Sequence, residues 1–318
     1  MNHRVCFWYD GRYRNDGPPL FLRQAALRNI ADLGLIAADH KILISDYRRW
    51  GKYDLNIWTD FGEDGLPEEY VKIPGEEGTR VYWCSDSHLG LDYRLQKARE
   101  ADYVFVTIPR HIPQFKEAVE HDRVYHLPHA GEPSCYLKYN TIKRYDVCFI
   151  GHLPNEKRVD LLDKLFASVG DIYYGQKFFE EASFKYSESK IVFNHCIGDE
   201  ANMRVFEATL SGSMLLTSYS EEVEALGYKD GKHLVFYHGP EHMVERTKYY
   251  LEHENEREKI AETGRKFTLD NHTYLHRIKE ILRVVREEKN GKRTSVDKEN
   301  NEFRHSNHSL KAGNTVGI

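Results

Sequence analysis

Short apolar runs alternate with stretches of helical period along most of the chain, and that alternation most restricts what it can fold into. Runs such as RVCFWY (Arg4 to Tyr9), RVYWCS (Arg80 to Ser85), YVFVTI (Tyr103 to Ile108) and YDVCFIG (Tyr145 to Gly151) are largely apolar, as strands of a sheet covered on both faces must be. Amphipathic segments such as PLFLRQAALRNIADLG and LDYRLQKAREA lie between them. This pattern predicts an α/β chain with helices packed on parallel sheets.

Further strands are predicted at KILIS (Lys41 to Ser45), LNIW (Leu55 to Trp58), VYHLP (Val124 to Pro128), DIYYG (Asp171 to Gly175), KIVFN (Lys190 to Asn194), SMLLTS (Ser213 to Ser218) and HLVFY (His233 to Tyr237). Helices are expected near Asn155 to Ser168, from Asn202 onward, and at Glu241 to Glu252, Glu254 to Leu269 and Thr273 to Glu288. A chain of 318 residues exceeds the usual size of a single core, so two α/β units in tandem are the simplest reading. The connection LPHAGEPSCYLKYNTIKR, between Pro128 and Tyr145, carries two prolines and a glycine and reads as a hinge. From about Glu287 the chain is polar and nearly without aromatics, the composition of a disordered tail, and His305 and His308 read there as solvated.

Charge and cysteine content narrow the class. A formal net charge of -5 argues against a dedicated nucleic-acid binder, though a local basic groove stays open. The five cysteines (Cys6, Cys84, Cys135, Cys148, Cys196) are odd in number and lack zinc-type spacing, which fits a reducing compartment. Cys6, Cys84 and Cys148 sit in apolar runs as small hydrophobes. No segment approaches the ~20 apolar residues that span a bilayer, and a cytoplasmic protein is expected.

Chemistry is expected at the carboxyl ends of the strands, where helix N-termini present free N–H groups. In FIGHLPNEKRVDLLDKL a strand ends at Gly151 and a helix begins near Asn155, with Lys157 and Arg158 in its first turns. Cations there oppose the helix dipole, and an incoming phosphate would reconcile them. In the stretch NMRVFEATLSGSMLLTS, Arg204 and Glu207 stand beside the apolar face of Met203, Phe206 and Leu210. Asp199 is the expected N-cap of that helix, and seven residues separate it from Glu207. The sequence leaves two readings open: a carboxylate for a vicinal diol, or an intrahelical Arg204–Glu207 pair. Tyr173 and Tyr174, before Gly175, are candidates to lie near a nucleotide base, and most other aromatics read as core.

The run NMRVFEATLSGSMLLTS, with KIVFN before it and HTYLHRIKEIL (His272 to Leu282) after it, resembles the carboxyl-terminal domain of CgeB-like proteins, the spore-maturation-type members of the group 1 glycosyltransferases. The resemblance covers Tyr145 to Leu282, and extends loosely to the first half through WCSDSHLG, the ADYVFV strand and LPHAGEP. It implies a GT-B fold, two Rossmann-like domains facing each other across a cleft. The expected parts are residues 1–135 as the acceptor-side domain, 136–270 as the nucleotide-sugar-binding domain, 271–288 as a helix packing back on the first domain, and 289–318 as the tail. The implied activity is transfer of a sugar from a nucleoside diphosphate sugar, with retention and without an obligatory metal or other cofactor, to an acceptor the sequence does not name.

By the same resemblance Gly151, His152 and Lys157 surround the donor phosphates, with His152 where an arginine is usual and Arg158 supplying the missing charge. Glu207 contacts the ribose, and Asp199, shorter than the usual Glu, orients the sugar. Asn202 and Arg204 belong to the same donor-binding run. On the acceptor side Asp86 and His88 in SDSHLG are candidates for a general base or hydroxyl ligand. Gly11 and Arg12, in the polar turn after the first strand, are candidates to approach the donor from the opposite domain, against the plainer reading of an ordinary turn. His129 in LPHAGEP either faces the cleft or fixes the hinge. The two departures leave open a non-catalytic protein in the same fold, or a sugar-nucleotide epimerase.

Overall fold

The structure is a computed structural model that describes residues 3–9, 18–42, 52–60, 78–88, 90–151, 156–196 and 200–289. Its first sheet is built from β1 (His3–Tyr9), β2 (Leu35–Ile42), β3 (Leu55–Asp60), β4 (Thr79–Cys84), β5 (Tyr103–Val106) and β6 (Val124–His126). All neighbours pair in parallel, in the order β2-β1-β3-β4-β5-β6. Helices α1 (Pro18–Arg28) and α2 (Ile30–Leu33) join β1 to β2, α3 (Leu91–Ala98) lies between β4 and β5, and α4 (Ile112–Ala118) between β5 and β6. Strands covered on both faces need apolar side chains on both, which is why Val104, Phe105 and Val106 all have no exposed surface.

The second sheet contains β7 (Tyr145–Ile150), β8 (Ile172–Gly175), β9 (Ser189–Asn194), β10 (Met214–Ser218) and β11 (Val235–Tyr237). It is again parallel, in the order β11-β10-β9-β7-β8. Its helices are α5 (Glu156–Phe166), α6 (Phe179–Ser187), α7 (Met203–Leu210), α8 (Glu221–Ala225), α9 (Pro240–Glu252) and α10 (Glu254–Asn271). Val147, Phe149, Leu161, Leu165, Phe193, Met214, Leu216 and Met243 share one core cluster. A last helix, α11 (Tyr274–Lys289), ends the described chain.

One predicted strand is displaced. The run LGLIAA, rather than KILIS, opens β2: Gly34 takes a left-handed conformation (φ 64°) that ends α2, and Leu35 begins pairing at once. Only Lys41 and Ile42 of KILIS fall in the strand, and its last three residues lie outside the described set. The short helices α4, α6 and α8 were not anticipated from the sequence.

In an open parallel sheet the ligand crevice lies where strand order reverses. That point falls between β1 and β3 in the first sheet and between β7 and β9 in the second. Aromatic contacts link the two: Phe21 of α1 meets Phe179 at 5.8 Å and Tyr274 at 5.0 Å, and Trp83 of β4 meets Tyr274 at 6.0 Å. The predicted hinge, residues 127–144, runs between them and is tied by Gly131, whose N–H donates to His272 O (3.0 Å) and whose carbonyl accepts from Tyr274 N (3.1 Å).

Candidate functional site

The crevice between β7 and β9 is bridged by Arg204. This side chain leaves the first turn of α7, donates from Nε to Ile150 O at the end of β7 (2.9 Å), and from Nη1 to Asn194 Oδ1 at the end of β9 (2.7 Å). Its guanidinium lies 4.6 Å from the centre of the Phe149 ring. Among the described residues no carboxylate pairs with it. Arg158 reaches the same place from α5: it is 6% exposed, donates from Nη2 to His195 O (3.2 Å) and lies 5.8 Å from the Phe149 ring. Burial, with the like charge of Arg204 added, lowers its pKa to about 10. Two cations crowded at a strand-end crevice make a site for an anion.

Gly151 makes room for this arrangement. Its φ of +153° favours glycine, and a Cβ there would stand against Arg204 Nη2. Gly151→Ala is therefore expected to push Arg204 out of the crevice and weaken anion binding about tenfold, read by calorimetry with inorganic pyrophosphate. Unchanged affinity would separate the glycine from the site.

Glu207 does not pair with Arg204. It is half-buried one turn further along α7, and its Oε1 accepts a hydrogen bond from the hydroxyl of Tyr136, in the hinge, at 2.7 Å. Burial raises its pKa, while Tyr136 and the charge of Arg204 hold it back. Its second oxygen takes no hydrogen bond from the described residues. The intrahelical alternative is thus set aside, and Tyr136 is a partner that sequence reasoning missed. The N-cap also differs from expectation: Asn202, not Asp199, occupies that position of α7. Its amide turns away from the helix to Asn194 Oδ1 (3.1 Å) and His195 O (3.4 Å), so it helps fix the strand end instead.

Asp86 and His88 follow β4, in the other sheet, and face the loop before α7. His88 Nδ1 lies 3.8 Å from Glu200 Oε2. Burial, then Asp86 and Glu222, push the Glu200 carboxyl up to about 8, with Arg110 acting the other way. Burial, with Arg94 and Arg110, lowers the pKa of His88. Beside them Ser87 Oγ and His111 Nδ1 are 2.7 Å apart. Glu200 was not singled out from the sequence, where it is one of two adjacent acids and nothing local distinguishes it from Asp199.

Because the folded-state pKa of Glu200 is raised, its contribution to stability is present below about pH 4.5 and is lost as pH rises toward 8. Glu200→Gln is expected to be more stable than the parent at pH 8 and nearly equal to it at pH 4.5, measured by urea unfolding at both values. An equal difference at both would show that the carboxyl does not titrate in this window.

The remaining candidates divide plainly. Gly11, Arg12, His152 and Asp199 lie outside the described residues, and of Lys157 only its place in α5 is described. Tyr173 packs on Tyr145 (5.3 Å), away from the two arginines, whereas Tyr174 stacks on Phe149 at 6.0 Å and is 43% exposed. His129 is buried against Trp83, its pKa lowered to about 4 by burial and by Arg277. It belongs to the hinge.

The model of a family described as glycosyl transferase-like matches residues 157–283, which contain both arginines and α7. No curated protein matches the chain. Among solved structures, an alpha-glucosyltransferase in complex with UDP and a 13-mer DNA containing a HMU base is similar over 90% of this chain and 100% of that one, with a TM-score of 0.68 at 12% identity. The chain has the GT-B fold. Anabaena Alr3699/HepE in complex with UDP and glucose gives a TM-score of 0.65 at 10% identity, again over 90% and 100%. S. aureus TarM in complex with Fondaparinux, alpha-GlcNAc-glycerol and UDP gives 0.55 at 10% identity, over 72% of this chain and 55% of that one. Within the GT-B fold, the β7–β9 crevice is the switch point of the second sheet. Among the described residues, no helix is long and apolar enough to cross a membrane.

Proposed function

We propose that the protein is a glycosyltransferase that takes a sugar from uridine diphosphate sugar, binds the nucleotide at the ends of β7 and β9, and transfers the sugar with retention to a hydroxyl acceptor. The observation that carries this reading is Arg204, a cation bound by Ile150 O and Asn194 at a strand-order switch point and joined there by Arg158. As the sugar leaves, charge develops on the diphosphate. The two guanidiniums, held in place beforehand, neutralise it without reorganising, a role that removes the need for a divalent metal. UDP is the nucleotide bound in the structural neighbours, and the resemblance of the run Asn202 to Ser218 to CgeB-like proteins supports that branch of the wider group.

In this reading residues 136–270 form the donor half and 1–135 the acceptor half. The free oxygen of Glu207 takes the ribose hydroxyls, while Asp86 and His88 receive the acceptor. The test compares UDP with 2′-deoxy-UDP by calorimetry. Glu207→Gln should lose about tenfold in UDP affinity and no longer distinguish the two, roughly 1.4 kcal/mol. A variant that still prefers UDP by the parental factor would remove Glu207 from the ribose. The anomer released from UDP-glucose, followed by proton NMR, decides retention.

A further inference from the structure

Glu222 sits buried in the first turn of α8, behind the N-cap Ser220, and its two oxygens are used in opposite directions. Oε2 accepts from the backbone N–H of Ala201 at 2.8 Å, in the loop that enters α7. Oε1 lies 2.9 Å from Nε2 of His126, at the carboxyl end of β6 in the other sheet. The same Nε2 is 3.1 Å from Thr107 O, which can only accept. Nε2 therefore carries the hydrogen and donates to both, so each oxygen of Glu222 faces a donor.

Among the described residues the entry loop is also held from its own sheet, through the Asn202 amide on Asn194 and His195 and through Cys196 N–H, which donates to Ser218 Oγ at 2.8 Å. From it Glu200 extends toward His88, 3.8 Å away in the other sheet. We propose that Glu222 is a positioning residue: it clamps the α7 entry loop to the end of β6, and so sets where Glu200 and Asn202 stand relative to His88 and Asp86. For turnover this rests on the transferase reading above; for the seam between the sheets it does not. Nothing in the sequence suggests it, since an acid in the first turn of a helix ordinarily just complements the dipole.

Glu222→Gln has nearly the same shape but breaks the clamp. A carboxamide has one acceptor and one donor, so whichever way it turns, its NH2 group meets the N–H of Ala201 or of His126. His126→Leu opens the same clamp from the other sheet and leaves the Ala201 bond in place. Hydrogen exchange on the full chain should show Ala201 and Asn202 exchanging at least tenfold faster in both variants, with β7, β9 and β10 unchanged. With UDP-glucose, turnover to water as acceptor should fall at least tenfold while affinity for UDP stays within twofold. Unchanged exchange at Ala201 in His126→Leu would overturn the clamp, because Glu222 would then only cap its own loop. A fall in UDP affinity in step with turnover would overturn the positioning role. If the parent binds no UDP, the transferase reading fails and the exchange comparison decides the clamp by itself.

Discussion

Arg204→Met is expected to lower affinity for UDP by at least a hundredfold and still give a folded chain. The side chain stabilises both states of the crevice, but unequally. Without ligand it satisfies Ile150 O and Asn194 Oδ1, and Asn194 keeps a second donor in Asn202 Nδ2 at 3.1 Å. Losing hydrogen bonds from a charged donor therefore costs the fold about 1.5–3 kcal/mol, and methionine fills the space against Phe149. With ligand the loss is that of one of two cations facing a diphosphate, and a hundredfold corresponds to roughly 2.7 kcal/mol. Calorimetry with UDP, next to urea unfolding, separates the two effects. A variant with parental affinity would move the nucleotide elsewhere.

Arg277→Met should cost the fold more than any change at the site, about 3–5 kcal/mol in urea unfolding at pH 7. Arg277 is buried at the start of α11 and donates from Nε to Pro128 O (2.9 Å) and from Nη2 to His129 O (2.8 Å). It also meets His272 Nδ1 at 3.2 Å. His272 Nε2 lies 3.0 Å from Leu226 O, an acceptor, so the imidazole is neutral with its free lone pair toward Arg277. Burial, followed by Arg277, lowers its pKa to about 3. Methionine would leave two hinge carbonyls and one imidazole nitrogen without a donor in a dry setting. A loss below about 1 kcal/mol would mean that water replaces the guanidinium.

His129 and His272 also fix the acid side of stability. Both are neutral when folded, with pKa values lowered to about 4 and about 3. Their contribution is intact above pH 6.5 and is lost as pH falls toward those values. The cause is the burial that makes 127–144 a hinge tied into the core.

The strands were legible because parallel strands buried on both faces have little choice but to be apolar, as in VYWC and VCFI. The start of β2 was misread because LGLIAA lacks the β-branched density of KILIS, yet Gly34 ends the helix and frees Leu35 to pair. Short helices such as α8 leave too few residues for a period to register. At the site, the helix carrying Arg204 and Glu207 was readable, but their partners were not. Arg204 answers to residues 54 and 10 positions away, and Glu207 to Tyr136, 71 positions away. Local spacing offered a protein partner for each only in the other, beside the reading of Glu207 as a ligand for a diol. For the same reason Glu200 and Glu222 were missed: what distinguishes them is the opposite sheet.

The crevice spanned by Arg204 and Arg158 is proposed to hold the diphosphate of a nucleotide. This placement is tested most directly by titrating the unmodified chain with UDP and with uridine in one calorimetric series. UDP should bind, and uridine at least a hundredfold more weakly, because the phosphates and not the base meet the two guanidiniums. Equal affinities, or no heat with UDP, would contradict it.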